Sequence, residues 1–196
     1  MSFYYYVYGL NVESDLALPG LRSLTAPRNH EPPVKLFLRD ASANWPIKIG
    51  ADRSTLIYSS AQDVYNPFRI DYFHVSRSYR FLYDDGIAFA FHQDGRNIWG
   101  TWPPRRSLKD AILYLFGPVF AFVLHLRGFT SFHASAAVIR GNAVAFVGLS
   151  GTGKSTIVGA LARAGYPILA DDTAVLEEIS EEFCIRPAYP HVRLWP

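Results

Sequence analysis

Cysteine is almost missing from this chain of 196 residues: Cys184 stands alone. A lone thiol excludes an internal disulfide framework and fits a reducing compartment, so a cytoplasmic location is expected. An excess of charge of one sign is missing too. The 19 Lys and Arg against 17 Asp and Glu leave a net charge of +2, which gives neither nucleic acid nor a membrane surface a broad electrostatic hold. The small basic cluster Arg105-Arg106 lies between Pro103-Pro104 and Ser107-Leu108 and reads as solvated surface. Met1-Ser2-Phe3-Tyr4-Tyr5-Tyr6 lacks the basic start and the small-residue cleavage site of a secretory signal. The most apolar run, Ala111 to Leu126, is broken by Gly117-Pro118 and suits a core helix better than a membrane span. The histidines at 30, 74, 92, 125 and 191 have no metal-site spacing, and no repeat or low-complexity tract is seen. What remains, 49% hydrophobic and 18% charged, is the composition of a folded globular protein.

The chain reads in two parts, residues 1–104 as a β-rich module and 105–196 as a nucleotide-binding core. In the first, Tyr4 to Leu10, Val34 to Leu38, Thr55 to Tyr58 and Arg69 to Val75 are short runs of aromatic and branched residues between Pro, Asn, Asp and Ser. Asp85-Gly86 and Asp94-Gly95 are hairpin signals, joining Arg80–Tyr83, Ile87–Phe91 and Asn97–Trp99 into an antiparallel meander. The many aromatic residues here are expected to fill sheet faces. Pro103-Pro104 marks the junction, after which Ser107 and Asp110 form a capping box for a long helix.

The second part carries the chemistry. Gly148-Leu149-Ser150-Gly151-Thr152-Gly153-Lys154-Ser155 fits the phosphate-loop pattern G-x-x-x-x-G-K-[ST] in full and follows Ala143 to Val147, which reads as a buried strand. Glycines at 148, 151 and 153 let the backbone curl and turn its N–H groups onto a phosphate. The cofactor-binding set is Gly148, Ser150, Gly151, Thr152, Gly153, Lys154, Ser155 and Thr156. Lys154 would set a positive charge against the β- and γ-phosphates, Ser155 would offer its hydroxyl to Mg²⁺, and the helix beginning there adds its positive end.

That helix, Ser155 to Ala164, has Ile157, Val158, Leu161 and Ala162 at helical spacing and is stopped by Gly165. A second apolar strand, Tyr166 to Leu169, then leads to Asp171-Asp172. Strand, helix and strand form a βαβ unit whose crossover brings both strand ends to one sheet edge, so the acids should face the phosphate loop. Carboxylates there can hold Mg²⁺ or accept a proton from an attacking hydroxyl.

Taken together, His133-Ala134-Ser135, the phosphate loop and Ala170-Asp171-Asp172 resemble the catalytic core of the HPr kinase/phosphorylase superfamily, to which phosphoenolpyruvate carboxykinase has a similar loop and acid pair. The chain is most similar to the smaller HPr-kinase-like proteins of lasso-peptide biosynthesis, through Tyr4 to Leu10, the His-Ala-Ser of 133–135 and the Tyr-Pro…Arg-Leu-Trp-Pro run of 189–196. The resemblance implies an α/β, overall α+β, architecture: the β-rich module followed by a phosphate-loop kinase core. It implies ATP and Mg²⁺ as cofactors, Asp171 as the base that deprotonates a serine hydroxyl, Asp172 with Ser155 at the metal, Lys154 on the phosphates, and His133 beside the acids. Two departures stand out. Cys184-Ile185-Arg186-Pro187 has Cys where HPr kinases carry a metal-binding glutamate, and the relatives continue beyond the equivalent of Pro196, so the chain is expected to be either a fragment or a reduced member.

The expected activity is ATP-dependent transfer of a γ-phosphoryl group to a serine of a peptide, a lasso-type precursor. The alternatives are a nucleotide-binding regulatory or assembly module without turnover, and a kinase with a small-molecule acceptor. The loop alone does not decide ATP against GTP, although no Asn-Lys-x-Asp base-reading segment occurs.

Overall fold

The structure, a computed structural model, describes residues 2–40, 53–60 and 67–189. Parts of the 189–196 run and His191 therefore lie outside the described residues. The fold is mixed α+β and strand-rich, with an N-terminal β module. Its strands are β1 (Phe3–Val7), β2 (Leu10–Ser14), β3 (Val34–Asp40), β4 (Ser54–Ser59), β5 (Phe68–Phe73), β6 (Ser78–Tyr83), β7 (Ala88–His92) and β8 (Asn97–Trp102). They form one sheet in the order β1-β2-β3-β8-β7-β6-β5-β4.

The meander from β5 to β8 is antiparallel, with Gly86 (φ 89°) and Gly95 (φ 61°) in the left-handed region at its two Asp-Gly turns. Two pairings depart from the antiparallel expectation, since β2–β3 and β3–β8 run parallel. Parallel neighbours need a connection long enough to return the chain to the same end, and the long segments before β3 and between β3 and β8 supply it. The run Tyr4 to Leu10 is also not one strand. It is a hairpin, β1 against β2 with Val7 opposite Leu10, whose turn residues Tyr8 (φ 56°) and Gly9 (φ 82°) are both left-handed.

One face of this sheet is covered by the apolar stretch beyond Pro103-Pro104. Helix α1 (Leu108–Tyr114) opens on the Ser107 cap: its hydroxyl accepts from the Asp110 N–H, while the Asp110 carboxylate accepts from the Ser107 N–H at 2.8 Å. A π-helical turn, Leu115–Val119, follows, with Gly117 outside helical geometry and Pro118 within the turn, and α2 (Phe120–Leu126) completes the stretch. Leu108–Leu126 is long and apolar enough to cross a membrane by length and composition, and half of it is buried in the protein. Ile112, Leu115, Phe116, Val119, Phe120 and Val123 join Phe81, Phe89, Phe91, Leu36 and Leu38 in the main core. Burying such side chains stabilises the fold by about 1.5–3 kcal/mol each.

Two small sheets follow. β9 (Thr130–Phe132), β13 (Ala174–Ile179) and β14 (Glu182–Arg186) form one, in the order β14-β13-β9. β10 (Ala134–Ile139), β11 (Asn142–Val147) and β12 (Ile168–Ala170) form the other, in the order β11-β10-β12. Since β11 and β12 both pair antiparallel to β10, they run parallel to each other with β10 between them. The intervening α3 (Lys154–Arg163) ends in a reciprocal cap, with Tyr166 N–H on Leu161 O, Gly165 N–H on Ala162 O and Gly165 at φ 88°. One expectation fails here: Ala143 to Val147 is a strand but not a buried one. It is paired only with β10 and lies at the sheet margin, so Val147 is 69% exposed.

Candidate functional site

The chain crosses between the two small sheets twice, and the two places coincide. It leaves β9 for β10 at His133 and leaves β12 for β13 at Asp171-Asp172-Thr173. Because β9 pairs with β13 (Phe132 opposite Ala174) and β10 with β12 (Ala136 opposite Ala170), both corners meet. Beneath them lies a small core of Ala134, Ala136, Ala170 and Ala174, whose short side chains let the backbones approach closely. The ends of β11 and β12 and the start of β10 share this edge, so the loop after β11 arrives there too.

Asp171 is 7% exposed, and its Oδ1 accepts hydrogen bonds from the hydroxyls of Ser155 at 2.8 Å and Ser135 at 2.5 Å. Its backbone carbonyl accepts from the Thr173 N–H at 3.0 Å, tightening the corner. Asp172 takes a left-handed conformation (φ 72°), and its side chain keeps 32% exposure. Its carbonyl oxygen lies 3.0 Å from His133 Nδ1, and its Oδ1 lies 3.7 Å from the same nitrogen. A carbonyl only accepts, so Nδ1 carries the proton and a neutral His133 keeps its lone pair on Nε2. The expected contact between His133 and a carboxylate is thus chiefly a contact with the Asp172 backbone.

The loop between β11 and α3 is a glycine turn. Gly151 (φ 81°) and Gly153 (φ 88°) are left-handed, and a Cβ at either would meet nothing within 4 Å, so the backbone is open on that side. Thr152 closes the turn by donating its hydroxyl to Leu149 O at 2.8 Å. Lys154 is 7% exposed and donates to the carbonyls of Gly148 and Leu149, both at 2.9 Å. Its ammonium is therefore held against its own loop, the surface a phosphate would approach. Leu149 is 82% exposed, and Ser150 and Thr156 are exposed on the loop and the first turn of α3.

Among the described residues, no three His, Cys, Asp or Glu side chains gather closely enough to hold a metal ion by themselves. Mg²⁺ is commonly held by one or two protein oxygens together with substrate phosphates. Ser155 and the neighbouring acid pair offer such a partial set. Cys184 lies within β14 opposite Glu177, and Glu177 makes an ion pair with Arg186.

Sequence reasoning placed Ser135 in the His-Ala-Ser motif but gave it no role. Its side chain is wholly buried, yet its hydroxyl lies on the carboxylate of the site. Alternation along β10 offered a signal: in Ala134-Ser135-Ala136-Ala137 the serine interrupts an otherwise apolar, buried strand. Comparison with protein families, with curated proteins and with solved structures returns no match.

Proposed function

We propose that this chain is an ATP-dependent kinase that transfers the γ-phosphoryl group to a serine hydroxyl of a peptide, with a lasso-type precursor as the substrate class. The observation that carries the reading is the 2.8 Å hydrogen bond from Ser155, at the end of the phosphate loop, to Asp171, at the end of a strand parallel to the one before the loop. A hydroxyl and a carboxylate joined in this way beside a glycine cradle fit a nucleotide with its divalent cation. The open backbone at Gly151 and Gly153 and the loop-held Lys154 support the same reading.

When bound, Mg²⁺ would neutralise charge on the phosphates, and Ser155 with Asp171 would hold it. The remaining work falls to the chain itself. Loop N–H groups and the Lys154 ammonium bind and orient the phosphates, and an acidic side chain receives the hydroxyl proton of the acceptor. Burial and hydrogen bonding favour Asp171 on the metal side and the more exposed Asp172 as proton acceptor, the reverse of the division implied by the family resemblance. His133 orients the Asp172 backbone.

Incubation with labelled ATP and a serine-containing precursor peptide tests this, with mass spectrometry reading the gain of one phosphate. Lys154→Ala is expected to lower transfer by roughly 10²-fold or more. Asp172→Asn should lower kcat by roughly 10²–10⁴-fold while sparing Mg²⁺-dependent nucleotide binding, whereas Asp171→Asn should weaken that binding. Absence of transfer by the wild type refutes the kinase assignment. Mg²⁺-dependent binding without transfer would instead assign the chain to a regulatory module.

A further inference from the structure

The Asp171 carboxylate receives two hydroxyls on one oxygen, and only one of them belongs to the phosphate loop. Ser155 is placed by α3, whereas Ser135 is placed by β10, the central strand of the β11-β10-β12 sheet. Ser135 has no exposed surface, so its hydroxyl has no bulk water to bond, and its donor goes to Asp171 Oδ1. A buried hydroxyl committed to an acceptor is costly to leave unpaired, by about 1–3 kcal/mol. That cost anchors the carboxylate to β10.

We propose that Ser135 is a positioning residue for the cation end of the site. By holding Asp171 Oδ1, it fixes the acceptor to which Ser155 donates. Once the Ser155 proton is committed to Asp171, the lone pairs of Ser155 Oγ are left for a divalent cation, and their direction is set from the strand side of the site. The sequence Ser135, Asp171, Ser155 is therefore a relay of two hydroxyls through one carboxylate. Its effect is on how strongly the divalent cation enhances nucleotide binding, independent of which acceptor is phosphorylated. The inference rests on the nucleotide-binding part of the proposed function and not on transfer.

The test is the ratio of ATP dissociation constants in EDTA and in saturating Mg²⁺, measured by calorimetry for the wild type, Ser135→Ala, Asp171→Asn and the double variant. Ser135→Ala is expected to reduce this ratio about tenfold, equivalent to about 1.4 kcal/mol, while leaving the metal-free affinity within about twofold. In the Asp171→Asn background, Ser135→Ala should change the ratio no further, because the two residues act in one chain of contacts. An unchanged ratio in Ser135→Ala overturns the proposal. So does an equal weakening of metal-free and Mg²⁺-bound affinities, which marks general loss of structure, and so does full additivity in the double variant. A wild type whose nucleotide affinity ignores Mg²⁺ also overturns it. Failure of transfer alone, with the ratios as expected, overturns only the kinase reading.

Discussion

Gly100 in β8 has no room for a side chain: a Cβ there would stand 2.8 Å from both Leu38 Cδ2 and Phe89 Cε1. Both neighbours are fully buried, in an interior packed as closely as an organic crystal. Gly100→Ala should therefore cost about 1–3 kcal/mol, seen as a lower urea midpoint at unchanged slope. Tyr8 presents the opposite case, a large residue where glycine would be expected. Its left-handed backbone is held because the ring packs against Phe116 and Phe120 and the hydroxyl donates to the Phe116 carbonyl. The π-helical turn makes that carbonyl available, since the Phe120 N–H bonds Leu115 O and Gly117 O. Tyr8→Phe should cost about 0.5–1.5 kcal/mol by removing a buried hydrogen bond, again measured by urea unfolding. Neither fact was legible beforehand. An aromatic residue at a hairpin turn carries no turn signal, and a glycine in a strand does not announce which rings will press on it. The role of Ser135 was hidden for the same reason, as it depends on a partner far away in the chain.

Among elements, those specified by short-range chemistry were readable. The Asp-Gly turns, the Ser107–Asp110 box, the Gly165 stop and the strand-loop-helix order around Lys154 each depend on residues within one or two turns of each other. Ser107→Ala should lower stability by about 1 kcal/mol through loss of the α1 cap. The hydrogen bonds from Ser107, and secondarily the charges of Arg106 and Lys109, hold the Asp110 carboxyl below its ordinary value. Since the folded value lies below the unfolded one, the contribution is present at neutral pH and is lost as the pH falls through the folded value. The fall in thermal midpoint on acidification below about pH 4 should accordingly be shallower in Asp110→Asn than in the wild type. Strand neighbours were less legible. The β2–β3–β8 parallel pairings and the exposed position of β11 depend on how long segments return, and hydrophobic runs do not encode that.

At the scale of the whole molecule, the sequence divides at Pro103-Pro104, but packing continues across that point. α1 and α2 lie in the core of the first sheet, Val175 joins that core from β13, and Tyr189 stacks on Phe116 with ring centroids 5.0 Å apart. The Tyr8 N–H also donates to Pro187 O at 2.8 Å, tying the first hairpin to the segment after β14. Calorimetry should therefore show one transition with equal calorimetric and van't Hoff enthalpies, and Tyr189→Ala should lower its midpoint. Two resolved transitions would contradict this coupling. The shared corner where β9 passes to β10 and β12 passes to β13 has a mechanical consequence. The spacing of His133 from Asp171 and Asp172 there depends on the angle between two small sheets, so an altered tilt of β13 or β14 would shift the two acids without any change in the loop. Under the proposed function, substitutions in β14 would act as rheostats for a reaction they never touch.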